Sequence, residues 1–191
     1  MKNSNKRFVS ALLTLMMLMS LMPTGIFAAK PNGLTTKDGY LWVEAEDLKY
    51  DKDVFEKVKD KKMWSSGSAL AVTSAVKDPV PAADEDAHID LSFTADQNGT
   101  YVIWSRNTAL SANGAGNSVY LSKDNGAYAY QGLKGNPEEP AWSQITSVKI
   151  KAGETASIRI RTRQMGNIAF DLFIISNEDG FRPSDQTTGL G

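Results

Sequence analysis

From residue 40 onward the chain alternates apolar and polar positions in short runs, each closed by Gly, Pro, Asn or Asp. No long stretch carries the 3.6-residue period of an amphipathic helix. Residues 40–48 (YLWVEAEDL) predict a first strand and residues 69–73 a second. The Lys-rich stretch 51–68 between them reads as a long loop. Residues 88–93 (HIDLSF) place Ile89, Leu91 and Phe93 on one face. Asn98-Gly99 is a turn signal, and residues 101–106 (YVIWSR) follow it as a strand. Further strands are expected at 117–123, 142–150 and 157–163, with turns at Asp124-Asn125-Gly126 and Ala152-Gly153. The Pro/Gly-containing stretch 131–141 reads as a loop. Residues 169–176 (AFDLFIIS) are nearly continuously apolar, as a strand covered on both faces would be. Trp42 and Trp104 lie inside strands and are expected in the core. The pattern predicts an all-β sandwich.

Residues 1–28 have another character. Lys2, Lys6 and Arg7 precede the apolar run 8–22, Pro23 and Gly25 break it, and Ala28 offers a cleavage point. This is the three-part pattern of a secretory signal peptide, and the run is shorter than the ~20 residues of a membrane span. The expected organisation is a signal peptide at 1–28, a short lead at 29–38, the sandwich at 39–184 and a tail or linker start at 185–191. The protein is expected to be secreted, with no membrane attachment after cleavage near Ala28.

The 191 residues include no Cys and one His, His88. Disulfides, Cys–zinc sites and thiolate catalysis are therefore excluded, and His88 shows no nucleophile beside it. Three of the 21 Lys and Arg residues, and none of the 22 Asp and Glu residues, fall in 1–28, so the formal charge of -1 conceals a segment of -4 after it. That balance does not fit a general nucleic-acid binder.

Glu44 and Glu46, read as i and i+2 on a strand, share one face. Adjacent carboxylates need water or a cation, and calcium takes such hard oxygen ligands. A solvated pair on an edge strand is the alternative. Asp171 is the single charge in the last apolar strand, and a buried carboxylate needs a partner or a metal.

The EAED at 44–47 resembles the start of carbohydrate-binding modules of families 6 and 35. Further matches come in order: Asn98-Gly99-Thr100-Tyr101 with VIWSR, Asn117-Ser118 with VYLSKD, then Trp142. Lys151-Ala152-Gly153-Glu154 before SIRIRTR and Gly166 before Phe170-Asp171-Leu172-Phe173-Ile174-Ile175 complete the set. The resemblance covers roughly residues 39–184. It implies a galactose-binding-like β-sandwich, or jelly roll, that binds a polysaccharide or oligosaccharide without catalysis, usually attached to catalytic or cell-surface domains. It also implies a structural Ca²⁺ held by Glu44, Glu46 and Asp171.

Sugar rings stack on aromatics and hydrogen-bond to polar neighbours. The resemblance implies a cleft built from loops at one end of the sandwich, with an aromatic near Trp142 and an Asn close to the last strand, so Trp142 and Asn167 are the first candidates for ligand binding, followed by Trp64, in a polar loop, and Asn117. Trp142 has a core-capping role as its alternative, and Asn167 a turn role. In SVKIK and SIRIR, Lys149, Lys151, Arg159, Arg161 and Arg163 alternate with apolar residues. If the two strands form a hairpin, these cations share a surface suited to an acidic polysaccharide, and Arg163 joins the candidate ligand residues; a solvated face paired with acids is the other reading. A small jelly-roll lyase or glycosidase, and a non-glycan adhesion module, are the competing functions.

Overall fold

The structure, a computed structural model, describes residues 33–72, 88–109, 118–136, 139–163 and 168–185. The expected signal peptide, the start of the lead, Asn117, Asn167 and the tail from 186 lie outside the described residues.

Eleven strands are described: β1 (Tyr40–Glu44), β2 (Lys49–Tyr50), β3 (Phe55–Lys59), β4 (Ser68–Val72), β5 (His88–Thr94), β6 (Gly99–Ala109), β7 (Ser118–Lys123), β8 (Ala129–Gly132), β9 (Ala141–Ile150), β10 (Thr155–Thr162) and β11 (Ile168–Ser176). They form two antiparallel sheets. One runs β3-β4-β11-β6-β9 with β1 also on β11, and the other runs β2-β5-β10-β7-β8. The alternation read in β5 is realised: Ile89, Leu91 and Phe93 are all 0% exposed. They meet Ile158, Ile160 and Val119 of their own sheet and Tyr101, Ile103, Phe170 and Phe173 of the facing one. Each such fully buried side chain contributes about 1.5–3 kcal/mol.

Every residue of β11 is buried. Phe170, Phe173 and Ile175 face the main core. Leu172 and Ile174 are covered on the other face by Trp104, with Tyr40, Val102, Trp142 and Phe181 packed around them. Along one edge β11 pairs first with β4, at Ala169–Phe170, and then with β1, from Leu172 to Ser176. The ladder to β6 shifts register between Phe170 and Leu172, so Asp171 sits at a bulge where β11 forks between two partners.

Two differences from the sequence reading concern edge strands. β3 lies inside the stretch expected to be a loop, with Phe55 buried and the other residues half-buried or exposed; β8 is short and mostly exposed. Such strands carry too little apolar alternation to be distinguished from loops. A third difference changes the charge map. β9 and β10 do not form a hairpin, because β9 pairs with β6 and β10 with β5 and β7. The turn at 151–154 carries the chain from one sheet to the other and bonds to Ala95, through Gly153 N (2.8 Å) and Glu154 O (3.0 Å). Lys149 and the row Arg159, Arg161 and Arg163 therefore belong to different sheets, and the five cations share no surface.

The turns at 95–98 and 151–154, both short, join the sheets at one end of the sandwich. The connections β4–β5, β6–β7, β8–β9 and β10–β11 attach at the other end, as the pairs Ala169↔Ala71, Ile168↔Ala109, Asn107↔Ala141, Ser118↔Gly132 and Thr162↔Val119 show.

The lead is tied down at the closed end by Asp96. Its Oδ1 accepts hydrogen bonds from Thr36 Oγ1 (2.6 Å), Gly39 N (3.1 Å) and Tyr101 OH (3.2 Å). Gly39 has φ 76, and a Cβ there would fall 1.9 Å from Asn177 Oδ1, so any other residue would be strained and would have to displace that side chain. The Thr36 hydroxyl, opposed by partial burial and joined by Gly39 and Tyr101, holds the Asp96 carboxyl below its ordinary value of 3.8. A depressed carboxylate stabilises the fold above its unfolded value and loses that contribution as pH falls through the folded one. Melting curves between pH 5 and 2 are expected to show this loss below about pH 4 in the wild type. The corresponding slope should be absent in Asp96→Asn; identical slopes would show that Asp96 does not anchor the lead.

Candidate functional site

The fork in β11 gathers the acidic residues. β1 ends at Glu44, and Ala45–Asp47 turns away as a single 3-10 turn in which Ala45 is fully buried. Glu44 and Glu46 are thus not i and i+2 on a continuous strand. They are brought together instead by two consecutive serines of the β3–β4 loop. Ser65 Oγ lies 2.7 Å from Glu44 Oε2 and 2.9 Å from Asp171 Oδ1, Ser65 N donates to that same Oδ1 at 2.9 Å, and Ser66 Oγ donates to Glu46 Oε1 at 2.7 Å.

A hydroxyl has one proton to donate. Ser65 Oγ therefore satisfies Glu44 or Asp171, and the other contact needs a protonated carboxyl or a cation. Burial, partly offset by Ser65 and reinforced by Asp171, Glu46 and Asp47, pushes the Glu44 carboxyl up to about 7. Glu46 has a side chain only 3% exposed, and its Oε2 has no hydrogen-bond partner. Lys57 Nζ reaches Oε1 at 3.8 Å. An enclosed carboxylate oxygen without a donor is costly unless a cation faces it.

Asp171 differs. The lone charge of β11 meets the lone charge of β6: Arg106 Nη1 donates to Asp171 Oδ2 at 2.6 Å, with the two side chains 5% and 0% exposed. Arg106 also donates to Met63 O (3.0 Å) and, through Nε, to Asp185 Oδ1 (3.0 Å). Burial raises the Asp171 pKa, against the lowering pull of Arg106 and Ser65. Among the described residues no group of three or more acidic or histidine side chains is arranged to hold a metal. The donor chemistry of Glu44 and Glu46 fits a hard cation. Asp171 adjoins them through Ser65, but it already has a cationic partner that the sequence reading missed.

The candidate ligand residues are spread over the molecule. Trp142, half-buried, packs beside Trp104, Leu172 and Ile174 on the face of the six-stranded sheet turned away from the main core. Arg163 follows β10 at the same end but on the five-stranded sheet, where it donates to Ser118 Oγ at 3.0 Å and lies 5.4 Å from the centre of the Tyr130 ring. Trp64 is only 3% exposed, over the small residues Ala69, Ala71 and Ala169. Its ring fills the shallow that these alanines leave, so its polar neighbours mislead, and it presents no face for stacking. Asn117 and Asn167 fall outside the described residues, immediately before β7 and β11. Trp104 is 7% exposed as expected, whereas Trp42, on edge strand β1, is 46% exposed. His88 lies 3.5 Å from Asp90, which also pairs with Lys49 (3.3 Å) and Arg159 (3.2 Å).

No family model and no curated protein sequence matches the chain. Solved structures do. The GH26-CBM35 β-(1,4)-mannanase of Podospora anserina aligns with TM-score 0.55 and 16% identity over 78% of this chain and 30% of its own. This chain thus spans under a third of that enzyme's length. A family 35 carbohydrate-binding module from Clostridium thermocellum aligns over 71% of this chain and 98% of its own, with TM-score 0.52 and 16% identity. The CBM36-1 domain of a multidomain xylanase from the hindgut metagenome of Trinervitermes trinervoides aligns over 73% and 98%, with TM-score 0.51 and 12% identity. Two whole modules are thereby overlaid nearly end to end on the sandwich described above, so this chain has the galactose-binding-like β-sandwich fold of family 35 and 36 carbohydrate-binding modules.

Proposed function

We propose that this chain is a secreted, non-catalytic carbohydrate-binding module that holds a polysaccharide across the loop end of its sandwich and is stabilised by Ca²⁺. The observation that carries the reading is the asymmetry of the two ends. Two short arches and the β7–β8 turn close one end, and five connections between strands, β2–β3 among them, attach at the other. Trp142 and Arg163 stand at that end, and the sequence attaches Asn117 and Asn167 to strands that begin there. Function on folds of this kind concentrates in such loops. Trp142 supplies an aromatic surface, Asn117 and Asn167 supply amide hydrogen bonds, and Arg163 supplies a guanidinium that matches a uronate carboxylate. Arg163 is what favours an acidic glycan, because it follows β10 directly at the loop end. The cation would be held by Glu44, Glu46 and Asp171, and it would supply the positive charge that the enclosed Glu46 oxygen lacks. The mannanase and xylanase that carry comparable modules support attachment of this chain to a catalytic partner.

The test is binding to a panel of neutral and acidic polysaccharides by calorimetry. Trp142→Ala is expected to weaken binding about tenfold or more, with Trp142→Phe retaining most of it. Arg163→Ala should weaken acidic ligands selectively. Unchanged affinity in Trp142→Ala would remove the stacking role. A Glu near pKa 7 is also the state of a general acid, which is the specific attraction of the glycosidase reading. No reducing ends or unsaturated products are expected from the bound glycans; cleavage that disappears in Glu44→Gln would replace the binding reading with that one.

A further inference from the structure

Trp42 and Tyr130 are the large hydrophobic residues exposed among the described ones, at 46% and 61%. Tyr130 has Arg163 against its ring. Trp42 instead borders a cleft of about 650 Å³ where β1, at the edge of one sheet, faces β2 and β5 of the other. That size falls within the range of small-ligand sites, about 300–1,000 Å³. Leu34, Val43 and Leu48 form its apolar lining and pack on the main core, so the lining is anchored.

The polar lining has a definite sign. Glu44 and Asp47 come from the end of β1 and the following turn. Lys49 and Asp90 face them from the other sheet, bound to each other at 3.3 Å. Asp90 is further engaged by Arg159 and His88. A uronate or phosphate entering here would meet the carboxylate of Asp47, with Glu44 given to the cation proposed above. A neutral sugar would place its C–H face on the Trp42 indole and donate a hydroxyl proton to Asp47.

We infer that the Trp42 cleft is a second glycan subsite, separate from the loop end, that takes a neutral hexose or pentose unit. The inference rests on the carbohydrate-binding reading above. With Trp142 and Arg163 at the loop end, it would give the module two contacts on one chain or on two chains, and an affinity gain by linkage when both engage.

Heteronuclear NMR of the full chain separates the two sites, because each of the four tryptophans gives its own indole N–H signal. Trp42→Phe and Trp142→Phe assign two of these signals. Neutral manno-, xylo- and gluco-oligosaccharides are titrated, with an oligogalacturonate as the acidic control. At least one neutral ligand is expected to move the Trp42 signal saturably, while the oligogalacturonate leaves it in place. Trp42→Ala should weaken that ligand about tenfold or more without altering the response at Trp142. A glycan that moves Trp142 but never Trp42 overturns the subsite and keeps the module reading. Movement of Trp42 by the galacturonate alone overturns the neutral selectivity. If no glycan moves any indole and none binds by calorimetry, both readings fall. The titration of the unaltered chain decides the matter even if Trp42→Ala does not fold.

Discussion

Replacing Arg106 with Met is expected to cost about 3–5 kcal/mol, because it leaves the Asp171 carboxylate buried without its ion-pair partner. At about 2–4 °C per kcal/mol for a domain of this size, the melting temperature should fall by about 6–20 °C. The double variant Arg106→Met/Asp171→Asn should recover most of that loss, since no charge is then stranded. Denaturant melts of the two single variants and the double one measure the coupling. An Arg106→Met cost below about 1 kcal/mol would mean that the pair at 2.6 Å does not form in solution. Calcium adds a second axis. If Asp171 shares a cation with Glu44 and Glu46, added Ca²⁺ should restore part of the stability of Arg106→Met and none of that lost in Asp171→Asn.

Chelation is expected to have the other large effect. At a free Ca²⁺ concentration a hundred times Kd, binding to the folded state contributes about 2.7 kcal/mol, or about 5–10 °C in melting temperature. The sign of the pH dependence makes the test sharper. Glu44 is raised from 4.5 to about 7, so in the metal-free fold its contribution is fully present below 4.5 and is lost as pH rises through about 7. A cation requires the ionised carboxylate, so its stabilisation must grow over the same window. Melting temperature should therefore fall between pH 4.5 and 7 in EDTA and rise over that window in Ca²⁺. Parallel curves would show that Glu44 and Glu46 hold no cation, and Glu44→Gln should flatten both.

The sandwich was legible wherever the burial of a strand set the apolar pattern of its residues. β5 shows this in its strict alternation, and β11 in its unbroken apolar run, whose second face is covered by Trp104, Tyr40 and Phe181. What escaped was information held in pairing rather than in pattern. The period-2 reading aligned the residues of SVKIK and SIRIR correctly, but periodicity is the same whether two successive strands join as a hairpin or arch between sheets. The Ala152-Gly153 turn gave no sign that it would bond to Ala95. Trp64 was obscured by its polar neighbours, although Ala69 and Ala71, at alternate positions of β4, and Ala169 of β11 marked a place for a large ring. Arg106 was within reach. A strand reading YVIWSR and a strand reading AFDLFIIS each contain one charge, of opposite sign, and two lone charges in two buried strands have reason to meet. Glu44 and Glu46 were picked out correctly as neighbours for a reason that does not hold, since a turn and two serines, rather than a strand face, bring them together.

The fork in β11 also governs when the molecule can take shape. Residues 168–176 form the last of the eleven described strands, yet β1, β4 and β6 all pair with them. Until that segment has been synthesised, three earlier strands lack the partner around which their sheet is organised, and the contacts that complete it span more than a hundred residues in the case of β1. Topologies so dominated by distant pairings fold slowly, in milliseconds to seconds. The six-stranded sheet can therefore close only after residues 168–176 have joined it, so the order in which its strands are made is not the order in which they can pair.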